Sequence, residues 1–325
     1  MNKDLIRTTS SQRGFTYSYY YQPPSNSKPT ILFLHGFPST HRDWAAQITA
    51  VSNKGYGVIA PDLLGYGDTS APEDVEQYKL LDMAQDVVDI LNDLDISKVI
   101  GVSHDWGSGI LSRLLDAYID RFYGAAFLAV GYIPPQPNFD YKKHLAMLKA
   151  LVGHDVFGYW EFFASDDAAA LSEKNIDSLY SLLFPNDPLV WKTDMAPLGK
   201  AREWIEANKQ LPRAHFWTAE AEKAHKQALL QNGFRGPYNW YKVHVTGINN
   251  AAEATIPTEA YHIQIPTFFG GATQDYICLT VLAKAAMTET CSNVVTKDFD
   301  TSHWIMMEAS DELNEVLTQF FITCK

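Results

Sequence analysis

Five residues, Ser103-His104-Asp105-Trp106-Gly107, constrain the fold of this chain more than any other stretch. An apolar, β-branched run at 98–102 precedes them, and a helix-like segment at 108–119 follows. A strand, a sharp turn with a small residue two before and two after its centre, and then a helix describe a nucleophile elbow. Such a turn presents one side chain above the edge of a sheet. The side chain presented here is that of Asp105.

An aspartate at the centre of the turn narrows the chemistry. A serine that displaces a leaving group at a saturated carbon forms an ether, which water does not readily cleave. An aspartate forms an ester, which a histidine–acid pair and an oxyanion hole can hydrolyse. Asp105 therefore favours attack on an sp3 carbon, as in an epoxide or an alkyl halide. The alternative is that Asp105 only caps the following helix, a position at which aspartate is common.

A second motif, His35-Gly36-Phe37-Pro38, follows a short buried-strand pattern at 30–34. In an elbow architecture the loop after this strand contributes one backbone N–H to the oxyanion hole, and the residue after the nucleophile contributes the other. The predicted donors are therefore the backbone amides of Phe37 and Trp106. Neither hydrogen bond depends on the side chain.

An acid and a histidine follow in the order that this architecture uses. A strand pattern at 265–271 ends in glycines and leads to Asp275, and a later one at 294–299 leads to His303. An alternative position for the acid, in the loop at 131–134, offers no carboxylate. We therefore predict that Asp275 orients His303 and that His303 activates water.

The apolar runs predict an α/β fold with a mostly parallel sheet. They are continuous rather than alternating, which is typical of strands covered by helices on both faces. The clearest runs lie at 31–34, 58–60, 99–100 and 125–130. Residues 15–21 alternate loosely and predict an antiparallel edge strand, whereas 82–94 have the apolar spacing of a helix.

Composition excludes several classes of function. A net charge of −12 argues against a nucleic-acid partner, and no apolar stretch is long enough to span a bilayer. The three cysteines are sparse and unpatterned, as in a reducing compartment. The sequence contains no phosphate-binding glycine loop, no dinucleotide fingerprint and no histidine pair at metal-ligand spacing. We therefore expect a cytoplasmic protein without cofactor, metal or membrane insertion; its oligomeric state is not predicted.

Taken together, the motifs make the chain resemble an α/β-hydrolase of the epoxide hydrolase family, of the soluble type with an aspartate nucleophile. Besides the elbow and the first loop, the matching motifs are Asn239-Trp240-Tyr241 and Ser302-His303-Trp304. The resemblance implies a sheet core at 1–135 and 255–325 and an inserted helical cap at 136–254. The cap segment begins near Pro134 and is rich in aromatic residues, which suits a largely apolar pocket.

In the family, two cap tyrosines hydrogen-bond the epoxide oxygen, and the resemblance assigns these roles to Tyr159 and Tyr241. Ring opening develops negative charge on a poor leaving group, and a protonated phenol can stabilise it. The alternative for Tyr159 is ordinary core packing, because it forms an i, i+3, i+4 stripe with Phe162 and Phe163. His154 and Tyr238 are the nearby substitutes if the register differs.

We predict an epoxide hydrolase that converts a small, largely apolar epoxide and water to a vicinal diol through an ester on Asp105. A haloalkane dehalogenase with the same triad is the first alternative, because Trp106 is shared with that class; Phe37 and the segment ending at Tyr241 favour the epoxide. A non-catalytic ligand-binding protein with a hydrolase fold is the second. The residues predicted to line the pocket are His35, Pro38, His104, Trp240 and Trp304.

Overall fold

A computed structural model describes residues 3–25 and 27–324. Within them, one eight-stranded sheet runs through the molecule in the order β1-β2-β4-β3-β5-β6-β7-β8. Strands β3 to β8 are parallel, and the first two strands are antiparallel to their neighbours. The strands are β1 (Ile6–Ser10), β2 (Thr16–Gln22), β3 (Thr30–Leu34), β4 (Gly57–Pro61), β5 (Val99–His104), β6 (Phe122–Leu128), β7 (Thr267–Ala272) and β8 (Val294–Phe299).

Helices flank the sheet and fill the long interval between β6 and β7. The α-helices are α1 (Ala45–Ser52), α2 (Leu80–Asp93), α3 (Trp106–Tyr118), α4 (Tyr141–Val152), α5 (Tyr159–Phe163), α6 (Ala168–Lys174), α7 (Ile176–Leu183), α8 (Lys200–Glu206), α9 (Ala219–Asn232), α10 (Arg235–Val245), α11 (Asn249–Glu253), α12 (Thr280–Thr290), α13 (Ile305–Glu308) and α14 (Ser310–Thr323). A π-helical turn covers Trp191–Met195, and 3-10 turns cover Lys3–Leu5, His41–Trp44, Val75–Tyr78, Ile119–Arg121 and Thr258–Tyr261.

The predicted fold class is confirmed. Every residue of β3, β4, β5 and β7 is buried, as continuous apolar runs in a covered parallel sheet require. Helix α2 buries Met83, Val87 and Ile90, which share one face at i, i+4 and i+7. The antiparallel strand predicted at 15–21 is present as β2, but it is not at the edge of the sheet, because β1 pairs with its outer side.

The eight helices α4 to α11 form the insertion between β6 and β7, and two indoles attach it to the sheet core. Trp240 donates its Nε1–H to the carbonyl of Leu64 at 2.9 Å. Trp304 donates in the other direction, to the carbonyl of Leu183 in α7, at 3.1 Å. Both indoles are buried, so each bond satisfies a polar group that water cannot reach. The limits at 135/136 and 254/255 stay predictions.

A buried ionic cluster joins both ends of the insertion to α3. Arg113 is fully buried and forms ion pairs with Asp116 at 3.1 Å and with Glu253, at the end of α11, at 2.9 Å. Its guanidinium also donates to the carbonyl of Ile133, and Tyr132 donates its hydroxyl to Asp116 at 2.6 Å. These five residues are called the Arg113 cluster below. They connect α3 to the two chain segments, near 133 and 253, at which the insertion begins and ends.

No helix among the residues described is both long enough and apolar enough to cross a membrane.

Candidate active site

Asp105 occupies the turn between β5 and α3 with φ 52° and ψ −127°, a backbone conformation that side chains rarely adopt. Its neighbours make room for the turn: a Cβ at Gly107 would collide with the carbonyl of Leu34, and one at Gly36 would collide with the Asp105 carboxylate itself. The Asp105 side chain makes no capping hydrogen bond to α3. The alternative of a simple helix cap therefore has no support, and the strained turn serves to present the carboxylate.

Three residues distant in sequence meet at the carboxyl ends of the strands. His303 Nδ1 lies 2.5 Å from Asp275 Oδ2, and His303 Nε2 lies 3.6 Å from Asp105 Oδ2. Asp275 is itself held in place, because its Oδ1 accepts the backbone N–H groups of Ile277 and Cys278, each at 2.9 Å. The imidazole is therefore oriented by one carboxylate and directed at the other.

The opposite charges of His303 and of the Asp275 and Asp105 carboxylates stabilise one another. Burial lowers the pKa of the His303 imidazole, but the carboxylates of Asp275 and Asp105 outweigh it and raise that pKa well above its ordinary value. Burial likewise raises the pKa of Asp105, while the hydrogen bond and charge of His303 bring it below the usual range. Asp105 is thus ionised at neutral pH, the form a nucleophile requires.

The predicted oxyanion donors lie beside the nucleophile. The backbone N–H of Phe37 donates to Asp105 Oδ1 at 2.8 Å, and the Phe37–Pro38 peptide bond is cis. Trp106 is the first residue of α3, where backbone N–H groups have no partner within the helix. The Phe37 amide therefore borders the carboxyl group of Asp105, on which an oxyanion would form during hydrolysis of an ester, and the Trp106 amide is free of a partner within the helix and follows Asp105 directly in the chain.

Two tyrosines of the insertion, predicted to contact the substrate, approach each other near the elbow. Tyr159 begins α5 and Tyr241 lies on α10, with ring centroids 5.8 Å apart, and the Tyr241 ring lies 5.2 Å from that of Trp106. Burial raises the pKa of both phenols well above 10, and the Asp105 carboxylate adds to the rise. Both phenols stay protonated at neutral pH and can donate a hydrogen bond.

The alternatives to these tyrosines are engaged elsewhere. The Tyr238 hydroxyl lies 2.6 Å from Ser172 Oγ, and His154 Nδ1 lies 3.2 Å from the carbonyl of Val152. The core-packing interpretation of Tyr159 also has support, since Phe162 is buried with it. Its ring packs in the insertion while the residue borders the cavity described next.

A cavity of about 260 Å³ opens beside Asp105. Asp105, Trp106 and Tyr159 form part of its wall, and most of the remainder is apolar. The apolar side chains include Leu80, Leu148, Val156, Phe157, Ile277 and Leu279. Tyr241 does not line this cavity, but its ring contacts that of Trp106, which does. The volume suits a small apolar molecule rather than a large polar one.

The five residues predicted to line the pocket do not border this cavity within the described chain. His35 Nε2 accepts the backbone N–H of Leu63 at 2.9 Å, and His104 Nε2 lies 2.9 Å from the carbonyl of His303. Trp240 and Trp304 make the two attachments between insertion and core, and Pro38 shapes the loop. The prediction that these five side chains line the pocket is therefore corrected: they pack around the site without bordering the cavity.

The sequence analysis missed the polar residues of the cavity wall, among them Cys278, His244 and Glu253. Cys278 follows Asp275 by three residues, and His244 follows Tyr241 by one helical turn, so proximity to predicted site residues was the available signal. No feature of the sequence indicated that Glu253 would border the cavity. Burial and the Asp275 carboxylate raise the pKa of the Cys278 thiol to about 12, so it is no rival nucleophile to Asp105.

The family model of the alpha/beta hydrolase fold matches residues 29–310. An epoxide hydrolase 2 from Siraitia grosvenorii is 30% identical over 253 residues, which cover 75% of this chain and 73% of that protein. A bifunctional epoxide hydrolase 2 from Sus scrofa is 26% identical over 299 residues, covering 91% of this chain and 52% of that protein. The chain spans about half the length of such curated mammalian relatives.

Solved structures show the same architecture. Epoxide hydrolase A from Mycobacterium thermoresistibile is 26% identical, with a TM-score of 0.77 and 97% of each chain covered. An epoxide hydrolase from Vigna radiata is 23% identical, with a TM-score of 0.78, 98% of this chain and 99% of that chain being covered. At 23% identity, the similarity to the Vigna radiata structure supports the shared fold only.

Proposed function

The chain belongs to the epoxide hydrolase family of the α/β-hydrolase fold, and from that membership we propose that it hydrolyses a small, largely apolar epoxide to a vicinal diol. One observation carries the proposal: the His303 imidazole lies between the carboxylates of Asp275 and Asp105, and Asp105 borders an apolar cavity. The aspartate at the elbow favours a saturated carbon as the point of attack. We also propose a cytoplasmic location, which the three free thiols support.

The first step is attack by Asp105 on one epoxide carbon. The carbon–oxygen bond of the ring breaks as the ester bond forms, and the departing oxygen takes a proton from a cap phenol, Tyr159 or Tyr241. A phenol in a dry site is a stronger hydrogen-bond donor toward a developing alkoxide than water is. The products of this step are a hydroxyalkyl ester on Asp105 and a phenolate.

The second step depends on the change in charge that the first one causes. Esterification removes the negative charge of Asp105, so the pKa of His303 falls and its imidazolium returns a proton to the phenolate. The neutral imidazole, oriented by Asp275, then takes a proton from water, which attacks the ester carbonyl. The Phe37 and Trp106 amides stabilise the oxyanion. Its collapse breaks the ester bond, and the His303 imidazolium gives a proton to the departing alkoxide, which releases the diol. The regenerated Asp105 carboxyl group then passes its proton to His303, which restores the carboxylate and the imidazolium.

The test is a substrate panel of styrene oxide, a fatty-acid epoxide and a bromoalkane, with diol and halide both quantified. We expect diol from at least one epoxide and no halide. Release of halide with no diol would instead identify a haloalkane dehalogenase. Binding of the epoxides without any product would identify a non-catalytic ligand-binding protein. Asp105→Ala, assayed beside the native chain, reports the background hydrolysis that each measurement must exceed.

Tyr241→Phe is expected to slow formation of the ester about 10²-fold, because one donor to the epoxide oxygen is lost. Tyr159→Phe should act on the same step and in the same direction. The measurement is rapid-quench single turnover with styrene oxide, followed by mass analysis of the protein.

Tyr238→Phe is the matched control for both tyrosine variants, because its hydroxyl is already bonded to Ser172 on the same side of the cap. It should form the ester at close to the native rate. An unchanged rate in both Tyr159→Phe and Tyr241→Phe would remove the phenols from the mechanism.

A further inference from the structure

Cys278 is the one cavity-wall nucleophile in the described chain, besides Asp105, that borders the catalytic group and has no part in the proposed mechanism. It lies in the loop after β7, where its backbone N–H donates to Asp275 Oδ1 at 2.9 Å. The side chain is partly exposed, whereas Asp275 and His303 are buried. The thiol therefore stands between the cavity and the catalytic pair.

The three side chains offer a compact set of metal ligands. Cys278 Sγ, one His303 ring nitrogen and one Asp275 oxygen all lie within 4.8 Å of one another. Two ligand atoms at about 2.0–2.3 Å from one tetrahedral zinc are separated by roughly 3.5 Å. Metal binding would therefore replace the 2.5 Å contact between His303 Nδ1 and Asp275 Oδ2, with these two atoms moving apart and Cys278 Sγ moving closer. A fourth position would open toward the cavity, where water or an anion can bind.

The chemistry of the set selects the kind of metal. Thiolate and imidazole favour soft or borderline ions such as Zn²⁺ and Cd²⁺ over Mg²⁺ or Ca²⁺, which prefer oxygen ligands only. The local charge also favours a dication, because two carboxylates lie next to His303: that of Asp275, and that of Asp105 at 3.6 Å from Nε2. A net charge of −12 raises the local concentration of cations around the chain.

We propose that Cys278, His303 and Asp275 form an inhibitory site for a soft divalent metal ion, which reaches them through the apolar cavity. Binding forms one metal–sulfur, one metal–nitrogen and one metal–oxygen bond. The thiol proton and the proton shared between His303 and Asp275 leave to solvent, and no atom changes oxidation state. His303 is then held by the metal and cannot activate water, so hydrolysis stops.

The binding test titrates the full chain with Cd²⁺ and follows the ultraviolet thiolate-to-cadmium charge-transfer band. We expect one equivalent to bind, reversed by a chelator. Cys278→Ser should abolish the band while keeping a side chain of similar size. The matched control is Cys291→Ser/Cys324→Ser, which removes the other two thiols, both buried away from the cavity, and should keep the band.

Two further variants separate a three-ligand site from binding to a thiol alone. His303→Gln and Asp275→Asn should each weaken Cd²⁺ binding at least about tenfold, since even the loss of an outer-shell partner costs that much. A band that persists in Cys278→Ser overturns the proposal, and so does unchanged affinity in both other variants. Cys278→Ala, checked for folding by circular dichroism, replaces Cys278→Ser if the latter does not fold.

Inhibition is measured separately, with each variant compared to its own metal-free rate. Zn²⁺ should inhibit epoxide turnover by the native chain, and Cys278→Ser should require at least about tenfold more metal. Equal sensitivity of the two proteins would overturn an inhibitory role for this site. The Cd²⁺ titration needs no turnover, so the metal site can be tested even if the chain proves not to hydrolyse epoxides.

Discussion

Intact-protein mass spectra of His303→Gln mixed with styrene oxide are expected to show the chain heavier by one epoxide. Ester formation needs the Asp105 carboxylate and the cap phenols, which this variant keeps. Hydrolysis of the ester needs a base, and glutamine cannot accept a proton from water. Steady-state turnover should fall by about 10⁴-fold or more, the scale seen when the base of a catalytic triad is removed. The ester should persist for the duration of the measurement.

Two controls make this result specific. His225→Gln removes another buried imidazole near a carboxylate, Asp43 at 3.2 Å, outside the catalytic group, and should neither slow turnover nor accumulate an adduct. Asp105→Ala/His303→Gln should form no adduct, which assigns the ester to Asp105. Near-native turnover in His303→Gln without any adduct would exclude His303 as the base.

Arg113→Met is expected to lower the free energy of unfolding by about 3–5 kcal/mol. The substitution keeps length and apolar bulk but leaves the carboxylates of Asp116 and Glu253 buried without their cation. An unpaired buried charge costs far more than the pair itself contributes, because water is excluded from the cluster. Urea denaturation followed by circular dichroism measures the change.

Arg202→Met is the matched control for this prediction. Arg202 also pairs with two carboxylates, Asp167 and Glu206, but on the surface of the insertion, where solvent screens the charges. Its loss should cost no more than about 1 kcal/mol. If Arg113→Met cost as little as Arg202→Met, the Arg113 cluster would have no role in holding the insertion to the core.

The meeting of Asp105, Asp275 and His303 was predictable because each of them follows a recognisable strand. Asp105, Asp275 and His303 lie at the carboxyl ends of parallel strands, and parallel strands bring those ends to one edge of the sheet. The order of the residues along the chain was therefore enough to predict that they meet. The roles of Tyr159 and Tyr241 stay predictions and rest on the family resemblance, since helical spacing alone is equally consistent with core packing.

The prediction of the pocket residues was wrong because neighbouring side chains in a strand or a helix point in different directions. His104 precedes the nucleophile at the end of a strand, where successive side chains point to opposite faces, so it is directed away from the cavity. Trp240 precedes Tyr241 on a helix, where one residue corresponds to a rotation of about 100°, which turns the indole toward Leu64. Adjacency in sequence to a catalytic residue does not imply a shared direction.

The sequence by itself determined the fold class, the elbow and the order of the triad, because these depend on the periodicity of neighbouring residues and on turn stereochemistry. Only the tertiary structure decided the wall of the cavity, the Arg113 cluster and the closeness of Cys278 to His303. Arg113 and Glu253 are 140 positions apart, and no local pattern records which distant side chains a packed interior will bring into contact. That choice belongs to the packing of the insertion against the sheet, where burial makes each polar group find a partner.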